Sequence, residues 1–421
     1  MNRRTSQKEA SEKLNPPFLH NGKVVNNRWK ISHRLGAGTF GEVYAANDRE
    51  ANMSVALKIE LNNASNEEGL LKMEVEVLKE LSKRPYTPQL FGCGKRSAYT
   101  YIVISRCGID LYTVKKQSGI THLSDSTVLR VAVHALYAIK QVHEIGYLHR
   151  DVKPSNMVFG ATLQDSKIIY LIDYGLARKY AEKDAKSEKW MFRKPRRKAE
   201  VRGTSRFCSR SIHLRSEQSR ADDMWAYVYS MIDLGPGLPW PKYARDERIQ
   251  SLKEELSDDK MLSGKMECFQ AIMTHIRTLG FYDRPDYKMI FEKLMESIRK
   301  KKIQFNDAYD WENKANSKQS GRGQRQKGEV SLHTADGSDG STSGRESQES
   351  NGNSAEKPGM SDKIKRNRKD KIEEPQFPTS QSKYFEIHEG DVPSIDGGDF
   401  MVAPNKRNGF IRKQMESEFL I

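Results

Sequence analysis

Between residues 28 and 105 apolar side chains come in short alternating runs; beyond about residue 124 they recur at three- and four-residue steps. Alternation puts one face of a strand into a core, and the longer step puts one stripe of a helix there. WKISHRL, EVYAAND, SVALKIEL and AYTYIVISRC therefore read as antiparallel strands. NEEGLLKMEVEVLKEL, between the third and the fourth, reads as a helix over 66–81. In STVLRVAVHALYAIKQVHEIG the residues Leu129, Ala132, Val133, Leu136, Ile139 and Val142 share one helical face. The expected class is α+β: a small antiparallel β-rich lobe with one helix, then a larger, mainly helical lobe. A cleft between two lobes is a common place for a ligand.

The pattern stops near residue 313, where the chain turns to GSDGSTSGRESQESNGNSAEKPG and similar sequence. Such segments carry too few apolar groups to offset the entropy of ordering. Three regions are expected: a flexible arm over 1–27, a folded region over 28–312 with lobes at 28–105 and 108–312, and a mostly disordered tail over 313–421. Cys93, Cys107, Cys208 and Cys268 are scattered without a CxxC pair, which argues against a disulfide framework or a structural zinc site. That usage suits a reducing cytoplasm, with the nucleus as a second expected compartment. No apolar run follows the basic start, and none reaches the ~20 residues of a membrane span.

The formal charge is +15, and its location matters. The tail holds 18 basic and 17 acidic residues, and the arm five and two. The excess therefore lies in 28–312, where a basic surface would suit an acidic partner. Ordinary solubilising charge is the plainer reading.

Four stretches carry chemistry. LGAGTFGEV spaces Gly36, Gly38 and Gly41 as GxGxxG. Glycines let backbone N–H groups approach phosphate closely. The motif alone is shared with dinucleotide-binding folds, but there a helix follows; here EVYAAND reads as another strand. In SVALKIE, Lys58 lies among apolar neighbours and needs an anion. The helix at 66–81 offers one, because Glu74 falls in the middle of its apolar stripe while Glu76 falls opposite. A Lys58–Glu74 ion pair is the simplest solution; a Glu at the rim of the stripe that reaches solvent is the alternative. In HRDVKPSN, Asp151 and Asn156 stand five apart, and Asp173 ends an apolar run in IIYLIDYGLA. Oxygen donors from Asn156 and Asp173 suit Mg²⁺. Lys153 would neutralise a transferring phosphate, and Asp151 would orient a hydroxyl and accept its proton.

In this order, over residues 28–297, these stretches resemble the eukaryotic protein kinases. VRGTSRFCSRSIHLRSEQSRADDMWAYVYSMIDLGPGLPW is similar to the casein kinase 1 group. RWKISHRLGAGTFGEVY, LKMEVEVLKEL, HEIGYLHRDVKPSNMVFG and FYDRPDY resemble its tau-tubulin kinase branch. The resemblance implies a two-lobed kinase fold and Ser/Thr phosphorylation of proteins with ATP and Mg²⁺. It implies that Leu35, Gly36, Ala37, Gly38, Thr39, Phe40, Gly41, Glu42 and Val43 cover the ATP phosphates. Ala56 would flank the adenine, Lys58 would bind the α- and β-phosphates, and Glu74 would fix Lys58. Ile104 would back the pocket, with Ser105, Arg106 and Cys107 as the hinge. Asp223 would tie the catalytic loop from below. Tyr174 stands where the family usually has Phe.

Residues 189–202, KWMFRKPRRKAEVR, hold seven bases and one acid. With Arg150 beside Asp151, the residues Arg196, Arg197 and Lys198 form a candidate anion site for acidic or phosphorylated protein substrates. A solvated loop is the alternative. KIKRNRKDK, at 363–371, reads as an import signal, a phosphoinositide patch or plain solvated charge. NGFIRKQMESEFLI is a candidate docking helix. A catalytically inactive scaffold on the same fold competes with the enzyme reading, but Lys58, Asp151, Asn156 and Asp173 are all present. A nucleic-acid partner is disfavoured, since no recognition module accompanies the charge. A monomer is expected.

Overall fold

A computed structural model of the chain describes residues 18–38, 41–62, 69–82, 84–162, 165–184, 186, 189–241, 245–262, 266–312 and 384–386. Six strands build the first lobe: β1 (Val24–Val25), β2 (Trp29–Gly38), β3 (Gly41–Asp48), β4 (Met53–Leu61), β5 (Leu90–Lys95) and β6 (Tyr99–Ser105). They form one antiparallel sheet in the order β1-β2-β3-β4-β6-β5. One face buries Trp29, Ile31, Tyr44, Leu57, Tyr101 and Val103. Helix α1 (Leu70–Leu81) covers the other with Leu71, Val75, Leu78 and Leu81. It starts at Leu70, with Gly69 as its N-cap, within the expected 66–81; residues 63–68 lie outside the described residues.

The expected arm over 1–27 needs correction. Leu19 and Val25 are buried with Trp29, the Leu19 N–H donates to the Tyr44 hydroxyl at 2.9 Å, and the Phe18 ring meets Tyr99 edge-on at 5.5 Å. Composition averaged over the whole arm hid this short apolar stretch.

The second lobe begins at β7 (Cys107–Asp110) and α2 (Leu111–Ser118), where the Asp110 side chain caps the Thr113 N–H. Helix α3 (Asp125–Glu144), capped by Ser124, is buried around most of its circumference and forms the lobe's axis. After it come β8 (Tyr147–Leu148), a 3₁₀ turn at Pro154–Asn156, β9 (Met157–Gly160), β10 (Ile169–Leu171), β11 (Arg178–Lys179), β12 (Ala181–Lys183) and β13 (Trp190–Arg193). Helices α4 (Arg210–His213), α5 (Arg220–Leu234), α6 (Asp246–Glu255), α7 (Asp258–Leu262), α8 (Cys268–Thr278) and α9 (Tyr287–Lys300) complete the lobe. The Ser219–Asp222 capping box starts α5. Tyr309 and Trp311 stack at 4.7 Å and pack on Phe159, so the folded region extends to the end of the described stretch.

Of the tail, only β14 (Tyr384–Glu386) is described; it pairs antiparallel with β13, Phe385 opposite Phe192. The 363–371 cluster and NGFIRKQMESEFLI lie outside the described residues. No helix among the described residues is long and apolar enough to cross a membrane.

Candidate active site

Strands β2 and β3 pair as an antiparallel hairpin, Gly38 opposite Gly41. Thr39 and Phe40, at its tip, lie outside the described residues. Gly41 is demanded by the fold itself: a Cβ there would stand 1.8 Å from the Ile59 carbonyl oxygen. A Cβ on Gly36 or Gly38 would meet nothing within 4 Å. Neither crowding nor a left-handed backbone calls for glycine at those two positions, and without side chains the backbone N–H groups there are open to close approach, as phosphate would need. Leu35 is exposed, and Ala37 pairs with Glu42 across the hairpin. The Glu42 carboxylate is taken up by Arg34 at 2.8 Å, the Phe18 N–H at 2.9 Å and the Tyr44 hydroxyl. Its side chain thus belongs to the lobe rather than to a ligand.

Sheet register puts Lys58 opposite Val43 on one side and Ile102 on the other. Its ammonium lies 2.7 Å from Glu74 Oε2 and 2.7 Å from Asp173 Oδ1. Burial works to lower the lysine's pKa, but the two carboxylates outweigh it and hold the ammonium charged well above its ordinary range. Glu74 is enclosed, and burial pushes it up against the pull of Lys58. Asp173 opens to the cleft; burial would raise it too, but Lys58 holds it below the usual carboxylate range. Ala56 and Ile104 are paired, buried neighbours on β4 and β6. Ser105 lies 2.9 Å from the Gln89 N–H through its hydroxyl, Arg106 donates to Ser54, and burial pushes the Cys107 thiol up to about 12.

The loop after β8 is held from below. Asp223 accepts the N–H groups of His149 and Arg150 at 2.7 and 2.8 Å. It also accepts from His143 Nε2 at 2.9 Å, while His143 Nδ1 meets the Tyr287 hydroxyl at 2.5 Å. Burial keeps that imidazole neutral, and its hydrogen bond overcomes the effect of burial on Asp223, holding the carboxylate ionised. These bonds hold Arg150 at φ 67°, a left-handed conformation that a non-glycine residue adopts only when its surroundings enforce it. Asp173 shares the feature at φ 70°.

Asp151 is then presented with both oxygens engaged. Oδ1 accepts from the Thr204 hydroxyl at 2.8 Å, and Oδ2 accepts from Lys153 Nζ at 2.5 Å. Lys153 also reaches Thr204 at 3.1 Å. Asn156 Nδ2 donates to the Asp151 carbonyl at 2.9 Å, which leaves the amide oxygen for another partner. With the Asp173 carboxylate, that oxygen is chemically suited to a hard divalent cation. Tyr174 resolves its extra hydroxyl by donating to the Leu171 carbonyl at 2.7 Å, and its ring meets His149 edge-on.

The basic segment is divided by the fold. Arg150 donates to the Leu176 carbonyl at 2.6 Å, and burial among Arg178 and other charges pushes its pKa down to about 10. Arg178 and Arg196 both pair with Glu217, Arg178 at 3.0 Å. Arg197 and Lys198 are exposed and are not part of this cluster. Thr204, Arg178 and Glu217 escaped the sequence reading: no spacing rule links them to Asp151 or Arg196. A separate groove of about 780 Å³ runs behind the hinge, lined by Met53, Arg106, Ile109, Phe159 and Trp311. Lys58, Asp151, Asn156 and Asp173 do not line it.

A two-lobed fold with these groups facing one cleft defines a protein kinase. The chain belongs to the protein kinase domain family, whose sequence profile matches residues 29–308. It is a protein kinase of the serine/threonine class, a family of phosphotransferases that in general use ATP and a divalent metal. It is 34% identical over 296 residues to a Caenorhabditis elegans protein named as a serine/threonine-protein kinase, covering 70% of this chain and 84% of that one. A Dictyostelium discoideum protein named as a probable serine/threonine-protein kinase is 30% identical over 297 residues, 70% of this chain and 59% of its own length. A Caenorhabditis elegans protein named as an inactive tau-tubulin kinase is 35% identical over 250 residues, 57% of this chain and 86% of that one.

Proposed function

We propose that this kinase is catalytically active and transfers the γ-phosphate of ATP to serine and threonine hydroxyls of acidic or already phosphorylated proteins. The observation that carries the reading is Lys58, whose ammonium lies 2.7 Å from both Glu74 and Asp173. Glu74 aims the ammonium into the cleft, where it grips phosphate oxygens, and Asp173 is brought beside it to hold metal with Asn156. Bound Mg²⁺ supplies positive charge to the phosphate oxygens. Gly36, Gly38 and Gly41 let the hairpin backbone close over them. Asp151, steadied by Thr204, orients the substrate hydroxyl and takes its proton, while Lys153 offsets charge on the transferring group. Ala56, Ile104 and the backbone of residues 105–107 hold the adenine. The kinship with a protein named as an inactive kinase makes a scaffold role the second reading; the presence of Lys58, Asp151, Asn156 and Asp173 favours activity. The motifs that resemble the tau-tubulin kinase branch of the casein kinase 1 group support the further proposal that the chain belongs to that branch and acts as a monomer in cytoplasm or nucleus.

Two measurements test this. Calorimetric titration with ATP is expected to show binding with Mg²⁺ and at least tenfold weaker binding with EDTA; equal affinity in both would refute the metal role. For substrate choice, Arg196, Arg197 and Lys198 are all exposed, but Arg196 is engaged by Glu217. The double variant Arg197→Glu, Lys198→Glu is expected to lower kcat/KM for a phosphorylated peptide about tenfold. Its KM for ATP and its rate on a neutral peptide should stay within twofold. An unchanged ratio between the two peptides would reject the anion preference.

A further inference from the structure

Lys253, near the end of α6, is 2% exposed, and no carboxylate among the described residues pairs with it. A buried cation without an anion is costly and needs other compensation. It has that in two carbonyls, those of Ser205 and Cys208, at 2.7 and 2.6 Å. His213 Nε2 lies at 3.2 Å, and the rings of Tyr229 and Trp240 each lie 5.2 Å from the ammonium. The two carbonyls bracket one turn, in which Phe207 and Cys208 donate their N–H groups to the Thr204 carbonyl. Thr204 in turn holds Asp151 and Lys153 through its hydroxyl. Lys253 thus connects α6 to the segment that abuts the reacting carboxylate, without touching that carboxylate.

We propose that Lys253 is a positioning residue for phosphoryl transfer: its ammonium staples the 204–208 turn in place, and that turn seats the protein substrate against Asp151. The proposal rests on the assignment of Asp151 as the proton acceptor. Burial pushes the ammonium's pKa down to about 8, partly offset by Cys208 and Asp246 and reinforced by Arg206. His213, which burial and Lys253 keep neutral, accepts from the ammonium rather than repelling it. The staple weakens as pH rises through this range, because the neutral amine is the poorer donor to carbonyls.

The test uses the full chain and a peptide substrate without histidine. Lys253→Met is expected to lower kcat/KM for peptide at least tenfold and to leave the KM for ATP within twofold. In the wild type, kcat/KM for peptide should fall between pH 7 and 9.5 while KM for ATP holds; in Lys253→Arg, which stays charged, the profile should be flat. A folded Lys253→Met with peptide kcat/KM within twofold of wild type overturns the proposal, as does an equal loss toward ATP. Should neither variant fold, the wild-type profile decides: no fall in peptide kcat/KM up to pH 9.5 overturns it. Asp151→Asn serves as the control. If that variant keeps full activity, the assignment of Asp151 fails; if it is dead and Lys253→Met is not, only the staple fails.

Discussion

Asp151→Asn is expected to lower kcat by about 10²–10⁴-fold, the usual contribution of a positioned proton acceptor. The amide keeps the size and can still accept the Thr204 hydroxyl bond, so the loop should not move. What it loses is the proton affinity and the charge that faces Lys153 at 2.5 Å. Nucleotide affinity should change by less than twofold, because Lys58, Glu74 and Asp173 hold a separate ion-paired cluster. Single-turnover phosphorylation together with calorimetric ATP binding reads both quantities. A variant that loses both equally would show that Asp151 acts on nucleotide binding rather than on transfer. A variant that keeps its turnover would remove it from the reaction.

Lys58→Met should combine a loss of activity of at least 100-fold with a loss of stability of about 3 kcal/mol. The second effect arises because removing one partner of a buried pair leaves an uncompensated charge, here Glu74 at 2% exposure. The stability deficit should shrink on acidification. With Lys58 gone, burial and the nearby Asp173 carboxylate raise the folded pKa of Glu74, opposed only by the Tyr174 backbone N–H. The folded protein then binds more protons than the unfolded chain, so stability falls as pH rises. Its contribution is full below the unfolded value of about 4.3 and is lost as pH rises through the folded one. Urea unfolding of variant and wild type at pH 5.5 and 7.5 checks the sign. Adding Glu74→Leu to Lys58→Met should recover most of the stability and none of the activity. If the double variant stays as unstable as the single one, the cost does not come from stranding Glu74.

The particular residues show where sequence logic reaches. Glu74 was legible because a carboxylate in the middle of an apolar stripe has only one bland explanation, a rim position that reaches solvent, and Lys58 in an apolar strand offers a better one; the pair is observed with Glu74 enclosed. Asp151 and Asn156 were legible because local spacing along one loop survives folding. Arg196 is separated from Arg197 and Lys198 only by the fold: one-dimensional charge density cannot tell which arginine meets a carboxylate. Glu217, 21 residues on, takes Arg196, while its two neighbours face solvent. The arm boundary slipped for a related reason, since a few buried residues such as Leu19 are outweighed in composition by the polar ones around them.

The order of strands and helices, the amphipathic faces and the four chemical motifs were set by local patterning alone, since each depends only on backbone periodicity or on neighbours within a turn. The pairing of Arg178 and Arg196 on Glu217, the Thr204 bond to Asp151, the left-handed Arg150 held by Asp223 and the enclosure of Lys253 were decided only in three dimensions. Those features depend on which distant segments exclude water together, and burial of that kind, unlike periodicity, leaves no mark at any fixed spacing along the chain.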